Sequence, residues 1–292
     1  MDNRETIGDA WRAGAARLRE AGVDEAEGNA ELLLLHLLEC DKARLLMDMR
    51  EPFPPERREA WERLLARKAA GEPVQYMTGG QHFYGRLFDV SPAVLIPRPE
   101  TELLAEAVLA AADERLDGRE RPLRVLDVGT GSGALAVTLA AERPRWRVTA
   151  SDLSPEALAV ARANAARHGA AIAFAQGDLL EPFLAPGAVQ AFDVIVSNPP
   201  YIPSADMPGL QREVRDYEPH LALDGGPDGL APYRRMAAQL GRLPAMPTIV
   251  AWEVGIHQAE VAAQLLREAA AWREIRFVRD YAGIDRHVLA IR

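Results

Sequence analysis

The chain has 292 residues, of which 48% are hydrophobic and 26% are charged, and its formal net charge is −9. This length accommodates one large domain plus a smaller one, and the composition is that of an ordinary globular protein. The acidic balance argues against a protein whose main affinity comes from contacts with a phosphate backbone, although it does not exclude a local basic patch.

Cysteine usage and hydropathy indicate where the protein works. Cys40 is the single cysteine, which excludes an internal disulfide and fits a reducing compartment. Residues 1–22 are charged throughout and show no targeting signal, and the most apolar run, residues 32–38, is far too short to cross a bilayer. We therefore expect a cytoplasmic protein without a membrane segment.

The first part of the chain, residues 6–71, has the pattern of a small helical bundle. Residues 31–38 form a strongly apolar helix, and residues 55–70 form another that proline opens and Gly71 ends. No metal-ligand or nucleophile cluster stands out in this part. We expect it to serve packing or partner binding.

The next segment differs in composition, because aromatic residues alternate with glycines from residue 74 to residue 90. This pattern predicts a hairpin or an irregular β connection. Residues 95–102 then form a proline-framed entry to a helix, for which an ordinary helix start is the plain alternative. The expected organisation is a helical part (1–72), a connecting part (73–95) and a larger domain (96–292).

From residue 123 onward strands and helices alternate, which predicts a parallel sheet. The expected strands are residues 124–128, 147–151, 171–176, a fourth that contains the run 194–196 and ends at Asn198, and 248–254; the expected helices are residues 134–142, 155–168 and 257–270. Two further strands, residues 274–279 and 286–291, are joined through a glycine and predict an added antiparallel hairpin. The fold class is therefore α/β, with a seven-stranded Rossmann-like sheet that ends in an antiparallel pair and follows a small helical part.

The loop Asn198-Pro199-Pro200-Tyr201 follows a short apolar strand, and its prolines prevent the strand from continuing. The carboxyl edge of an open α/β sheet is where ligands bind. The side-chain oxygen of Asn198 and the carbonyl of Pro199 could each accept one N–H of a planar amino group, and Tyr201 could pack on its flat face. The alternative is a strand-ending Asn followed by a plain turn.

A glycine-rich loop follows the first strand of the sheet. Gly129 and Gly131 let the backbone approach a ligand closely, and the helix after them directs N–H groups at it. Together with Ala134 they also satisfy the dinucleotide pattern of a dehydrogenase, with Asp152 at a compatible distance. The glycine loop alone therefore discriminates poorly between cofactors.

Three features favour S-adenosylmethionine as the cofactor. Asp127 lies inside the glycine motif, where it can organise the methionine portion, and Gly133 adds a glycine at a non-dinucleotide spacing. Asp178 ends the third strand, where an adenine amino group needs an acceptor, and Asp152 at the second strand should accept both ribose hydroxyls. Each carboxylate has the alternative role of a helix cap.

These motifs carry a resemblance. Residues 127–133 together with residues 198–201 resemble the amino-group methyltransferases of the seven-stranded class. The segments 71–79, 83–88, 96–102 and 217–229 narrow this resemblance to the peptide chain release factor glutamine methyltransferases, and it covers residue 71 to the end of the chain.

The resemblance implies transfer of a methyl group from S-adenosylmethionine to the side-chain amide nitrogen of the glutamine in the Gly-Gly-Gln loop of class I release factors, the proteins of translation termination. It implies that Asn198, Pro199, Pro200 and Tyr201 bind the target amide. One departure concerns adenine: an aromatic residue often follows the acidic residue of the third strand, whereas this chain has Leu179. The expected cofactor contacts are Asp127, Gly129, Thr130, Gly131, Gly133, Asp152, Leu153, Asp178, Leu179 and Asn198.

The expected chemistry needs alignment rather than activation by a metal. An amide nitrogen is a poor nucleophile, whereas a sulfonium methyl is already activated, so we expect neither a metal nor a side-chain general base. Three alternatives stay open: an amino-group methyltransferase for nucleic-acid bases, one for another protein glutamine such as that of a ribosomal protein, and a non-catalytic cofactor-binding scaffold. The chain's own Gly79-Gly80-Gln81 is interpreted as a coincidence.

Overall fold

The computed structural model describes residues 5–116, 118, 120–184 and 191–292. Its α-helices are α1 (Ile7–Glu20), α2 (Ala26–Leu38), α3 (Lys42–Met47), α4 (Arg58–Ala69), α5 (Val74–Thr78), α6 (Pro99–Leu116), α7 (Ala134–Glu142), α8 (Pro155–Arg167), α9 (Arg212–Tyr217), α10 (Ala231–Leu240) and α11 (Ala259–Ala269). Its strands are β1 (Gly80–Phe83), β2 (Arg86–Asp89), β3 (Arg124–Val128), β4 (Arg147–Asp152), β5 (Ile172–Gln176), β6 (Val194–Ser197), β7 (Ile249–Glu253), β8 (Glu274–Arg279) and β9 (Asp285–Ile291). No helix in this described part of the chain is long and apolar enough to cross a membrane.

The described residues form two compact units. The first contains the described residues up to Gly80 together with Gln211–Tyr217, and the second contains those of Gln81–Leu210 and Glu218–Arg292. The first unit thus holds α1 to α5 and α9. The predicted domain boundaries at residues 72 and 95 stay a prediction, because compactness alone does not show which segments fold independently.

The first unit is a helical bundle, as predicted. Its core contains Leu18, Leu33 and Trp61, all essentially buried. The apolar helix α2 begins at Ala26 rather than at residue 31, because Ala26 and Ala30 are also buried and extend its apolar side toward the N-terminus. A β connection was expected from residue 74, but residues 74–78 form the short helix α5.

Helix α9 joins this bundle from a distant part of the sequence. The Lys68 side chain of α4 is fully buried, and its ammonium group forms an ion pair with Glu213 of α9. The same group donates to the Glu72 carbonyl at 3.3 Å. A buried ammonium group is costly unless it is paired, so this contact stabilises α9 against α4.

The second unit contains the predicted seven-stranded sheet, in the order β5-β4-β3-β6-β7-β9-β8. The strands from β5 to β7 are parallel, and β9 runs antiparallel to both β7 and β8. The expected antiparallel addition at the end of the chain is therefore confirmed. Because β3 and β6 pair directly, the segments that follow them leave the same edge of the sheet side by side.

Helices cover both faces of this sheet. Alternate residues of each strand point to opposite layers. Val194 and Val196 pack with residues of α6 and α7, whereas Ile195 packs with residues of α10 and α11. Burial on both faces explains why these strands appear in the sequence as continuous apolar runs rather than alternating ones.

The hairpin of β1 and β2 is held against the loop that follows β3. The side chain of Asn164, in α8, accepts from the Asp89 N–H at 2.8 Å and donates to the Asp89 carbonyl at 2.9 Å. It also donates to the Ser132 carbonyl at 2.8 Å. One buried amide therefore links the end of β2 to the glycine-rich loop.

Candidate active site at the carboxyl ends of the strands

The loops after β3, β4, β5 and β6 surround a cavity of about 460 Å³ in the second unit. The following predicted site residues line it: Gly129, Thr130, Gly131, Asp152, Leu153, Asp178, Leu179, Asn198 and Pro200. Four others, Asp127, Gly133, Pro199 and Tyr201, lie outside this lining. The glycine loop and the Asn198 loop line the same cavity, because β3 and β6 are neighbours.

The glycine loop is arranged around the carboxylate of Asp152. The Gly131 N–H donates to Asp152 Oδ2 and the Ser154 N–H to Asp152 Oδ1, both at 2.9 Å. Gly129 and Gly131 have φ values of 70° and 54°, and apart from its chain neighbours a Cβ atom at either position would meet no atom of the described residues within 4 Å. These glycines leave space for a ligand close to the backbone, and Asp152 retains lone pairs for further donors.

Burial raises the pKa of Asp152, and the backbone N–H donors from Ser154 and Gly131 oppose that shift. The carboxylate at the end of β4 is therefore partly desolvated. A ligand hydroxyl that donates to it replaces lost solvent hydrogen bonds, which favours binding there.

Asp127 lies behind the glycine loop and is fully buried. Its Oδ2 accepts from Thr130 Oγ1 at 2.6 Å and from the Ala136 N–H at 3.2 Å. Its Oδ1 has no hydrogen-bond partner among the described residues. Burial raises the pKa of Asp127 to about 7. Its visible contacts stabilise the loop, and its predicted role toward a cofactor stays a prediction.

This raised pKa predicts a pH dependence of stability. Burial favours the neutral form, so the contribution of Asp127 to the free energy of unfolding is greatest below its unfolded pKa of about 3.9 and is lost as the pH rises to about 7. Between about pH 3.9 and pH 7 we expect the free energy of unfolding of ligand-free wild type to fall by on the order of 3–4 kcal/mol relative to that of Asp127→Asn. Above this range the difference between the two proteins should not change further. Urea unfolding of both proteins at a series of pH values measures this difference, and a pH-independent difference contradicts the assignment.

The segment after β5 supplies Asp178 and Leu179 to the cavity. Arg235, from α10, forms an ion pair with Asp178 and also lines the cavity. Leu179 has a φ of 52°, a left-handed conformation that is costly for a leucine. Strained backbone conformations of this kind are common at ligand-binding sites.

The Asn198 loop is fixed by hydrogen bonds to two other segments. The Ile202 N–H donates to the Leu223 carbonyl at 3.0 Å, and the Gly225 N–H donates to the Ile202 carbonyl at 2.8 Å. Gln258 Nε2 donates to the Tyr201 carbonyl at 2.9 Å. The loop is thus held in place before any ligand binds.

Tyr201 packs against the core layer that contains α10 and α11. Burial raises the pKa of its hydroxyl to about 12. The hydroxyl therefore stays protonated near neutral pH and does not serve as a general base.

Several residues around the cavity were not assigned a role from the sequence. Glu218 is buried, accepts from the Ile96 N–H at 3.2 Å and forms an ion pair with Arg98. Thr101 belongs to the proline-framed segment 95–102, as Ile96 and Arg98 do, and it donates to Glu253 at the end of β7. The charged residues beside the prolines of residues 95–102 and the glutamate that ends an apolar strand were the signals available in the sequence.

The strand order, the glycine loop after β3 and the Asn-Pro-Pro-Tyr loop after β6 define a Rossmann-like methyltransferase. A solved structure of a human methyltransferase 10 domain containing protein has the same fold, with a TM-score of 0.53, 14% identity and coverage of 71% of this chain and 89% of that one. Residues 101–215 match the methyltransferase small domain.

Proteins that are more similar to this chain in sequence identify the particular family. Residues 9–79 match the PrmC N-terminal domain. A release factor glutamine methyltransferase of Koribacter versatilis (strain Ellin345) is 43% identical over 284 residues, which cover 97% of this chain and 98% of that protein. One of Moorella thermoacetica is 44% identical over 294 residues, which cover 100% and 99%. The chain belongs to the release factor glutamine methyltransferase family.

Proposed function

We propose that this protein transfers a methyl group from S-adenosylmethionine to the side-chain amide nitrogen of the glutamine in the Gly-Gly-Gln loop of class I release factors. The observation that supports this most directly is the shared cavity, in which a glycine loop and a carboxylate face the acceptor loop that Asn198 begins. Such a reaction belongs to translation termination and takes place in the cytoplasm. It requires no direct nucleic-acid binding.

The residues present fit this cofactor. The open backbone at Gly129 and Gly131 suits a ligand that approaches closely, and the free lone pairs of Asp152 suit the two ribose hydroxyls. Asp178 and Leu179 line the same cavity, and we propose that they hold the adenine. When bound, S-adenosylmethionine supplies a methyl group that its sulfonium already activates.

The remaining task of the protein is alignment. Asn198 Oδ1 is not hydrogen-bonded to any described residue and can accept one N–H of the substrate amide, whereas its Nδ2 donates to Thr101 at 3.1 Å. The Pro199 carbonyl is proposed as the second acceptor. Two acceptors direct the nitrogen toward the methyl group and stabilise the charge that develops on it. Because the Tyr201 hydroxyl stays protonated, it does not take up a proton, and the surplus proton of the methylated amide passes to water after the transfer.

The test is mass spectrometry of a full-length class I release factor after incubation with the protein and S-adenosylmethionine. We expect one added methyl group on the glutamine of the Gly-Gly-Gln loop and none on a release factor in which that glutamine is replaced by alanine. Methylation of RNA or DNA instead, with binding that weakens by a log–log salt slope of about −0.9 per phosphate contacted, would support the nucleic-acid alternative.

A variant at Asp152 tests the cofactor assignment. Asp152→Ala removes the hydrogen bonds of a charged acceptor, together worth about 1.5–3 kcal/mol, so the affinity for S-adenosylmethionine should fall roughly ten- to a hundredfold. Calorimetry measures this affinity, and circular dichroism shows whether the variant is folded. The matched control is Asp206→Ala, which removes an exposed carboxylate outside the cavity. Unchanged affinity in folded Asp152→Ala contradicts the assignment.

A further inference from the structure

Three side chains form a chain of hydrogen bonds that begins in the acceptor loop at Asn198. Asn198 Nδ2 donates to Thr101 Oγ1 at 3.1 Å, and Thr101 Oγ1 donates to Glu253 Oε2 at 2.7 Å. Thr101 lies in the first turn of α6, and Glu253 ends β7. Both are buried, with 6% and 2% of their surface exposed.

The direction of these bonds fixes the orientation of the Asn198 amide. A threonine hydroxyl has a single hydrogen, and a carboxylate only accepts, so that hydrogen is used by Glu253. The Thr101 oxygen can then only accept a further hydrogen bond. Asn198 therefore presents Nδ2 to Thr101, and its Oδ1 is left for the cavity.

We propose that Thr101 and Glu253 are positioning residues that hold the Asn198 oxygen toward the substrate and thereby select an amide over a carboxylate. An amide offers two N–H donors to this oxygen, whereas the carboxylate of a glutamate offers only acceptors. If the Asn198 amide group were rotated by half a turn, its NH2 group would face the substrate and favour the carboxylate. This inference rests on the proposed function and names what sets its selectivity.

The surroundings of Glu253 allow its side chain to be changed selectively. Its backbone carbonyl accepts from the Tyr233 hydroxyl at 2.7 Å, a bond that a side-chain substitution leaves in place. His287 Nε2 lies 3.8 Å from Glu253 Oε2, and the ring nitrogens of His287 have no hydrogen-bond partner in the described part of the chain. Glu253→Gln therefore alters mainly the bond to Thr101.

A reversal of the bond direction gives the sharpest test. In Glu253→Gln the new amide can donate to Thr101. The Thr101 hydroxyl is then free to donate to Asn198, so the Asn198 amide group can rotate by half a turn and present Oδ1 to Thr101. In Asn198→Asp two carboxylates compete for one hydroxyl hydrogen. In the double variant the glutamine donates to Thr101, Thr101 donates to the new aspartate, and the other aspartate oxygen faces the substrate.

We expect each single variant to methylate the release factor at least about tenfold more slowly than wild type at saturating cofactor, and the double variant to be faster than either single variant. Single-turnover rates measure this. Losses that simply multiply in the double variant would overturn the proposal, because they indicate two independent structural roles.

An equilibrium measurement tests selectivity without turnover. The wild-type enzyme with S-adenosylhomocysteine bound is offered two release factors, one with the natural Gly-Gly-Gln loop and one in which its glutamine is replaced by glutamate. We expect the affinity for the first to be at least about tenfold higher than the affinity for the second. Thr101→Val removes the hydroxyl, and we expect this preference to shrink severalfold. Thr101→Ser keeps the hydroxyl and should restore most of it.

These outcomes are distinguishable from failure of the proposed function. If wild type methylates the release factor but Thr101→Val keeps the full preference for glutamine, the positioning role is wrong and the proposed function stands. If wild type does not methylate any release factor, the proposed function fails first. Calorimetric binding of S-adenosylmethionine by each variant verifies that the glycine loop and the fold are intact.

Discussion

Asn198→Ala should transfer methyl to a release factor at least about tenfold more slowly than wild type at saturating cofactor. Alanine removes the acceptor at the start of the loop and leaves a desolvated substrate N–H unpaired, which costs about 1–3 kcal/mol. The nitrogen is also freer to rotate away from the methyl group, and this adds a misalignment loss. Saturating cofactor is required because Asn198 is also a predicted cofactor contact.

The measurement is a single-turnover rate with full-length release factor in excess over the enzyme. The matched control is Gln264→Ala, which removes an exposed side-chain amide of α11 that does not line the cavity. If Asn198→Ala transfers methyl as fast as wild type, Asn198 serves only as a turn residue. The argument for an amide-binding loop then fails.

The structure identifies the partner of the donor that aspartate would lack at this position. From the sequence, aspartate is expected to replace Asn198 better than alanine does, because it keeps an oxygen of the same reach, but to remain slower than wild type, because it loses the NH2 donor and buries a carboxylate. In the structure the other end of that amide donates to Thr101, whose hydrogen is already used by Glu253. Aspartate therefore keeps one acceptor but loses a donor that its neighbours require.

The sheet and most of the cavity could be predicted because both follow from local patterns. Apolar runs such as residues 194–196 are long enough to mark buried strands, and the residues directly after parallel strands must meet at one edge. This rule placed Asp152 and Asn198 in a common cavity without any knowledge of tertiary contacts. The same rule did not show that Asp127 is enclosed behind the loop, because burial depends on the helices that cover it.

The parts that could not be predicted depend on residues far apart in sequence. Thr101 is 97 residues from Asn198 and 152 residues from Glu253, and nothing in the local sequence pairs them. Helix α9 joins the first unit through Lys68, which lies 145 residues before Glu213. A hydrogen bond or an ion pair leaves no periodic trace, so such partners are found only when the fold brings them together.

The segment 223–229 supports the acceptor loop through close backbone packing, and Gly229 is its tightest point. A Cβ atom at Gly229 would lie 2.2 Å from the Tyr201 carbonyl oxygen and 2.5 Å from Gln258 Nε2. Gly229 also has a φ of 74°. Alanine there adds left-handed strain of about 1–2 kcal/mol and overpacking of about 1–3 kcal/mol.

Gly226→Ala separates these two costs. Gly226 has a φ of 88°, but among the described residues a Cβ atom there would meet only the Ala231 methyl group, at 3.0 Å. Both variants carry left-handed strain, so the difference between them reports the clash with the Tyr201 carbonyl. We expect Gly229→Ala to lose about 2–5 kcal/mol in the free energy of unfolding and Gly226→Ala clearly less.

Urea unfolding measures both stabilities, and single-turnover rates at a temperature where each variant is folded measure the effect on the loop. Because the Tyr201 carbonyl belongs to the same four-residue loop as Asn198, a shift of that carbonyl should also misplace the acceptor. Gly229→Ala should therefore be slow even when folded, whereas Gly226→Ala should transfer methyl faster than Gly229→Ala. Equal stabilities and equal rates for the two variants would show that the loop opens freely around Gly229, and that the 223–229 segment does not hold the acceptor loop in place.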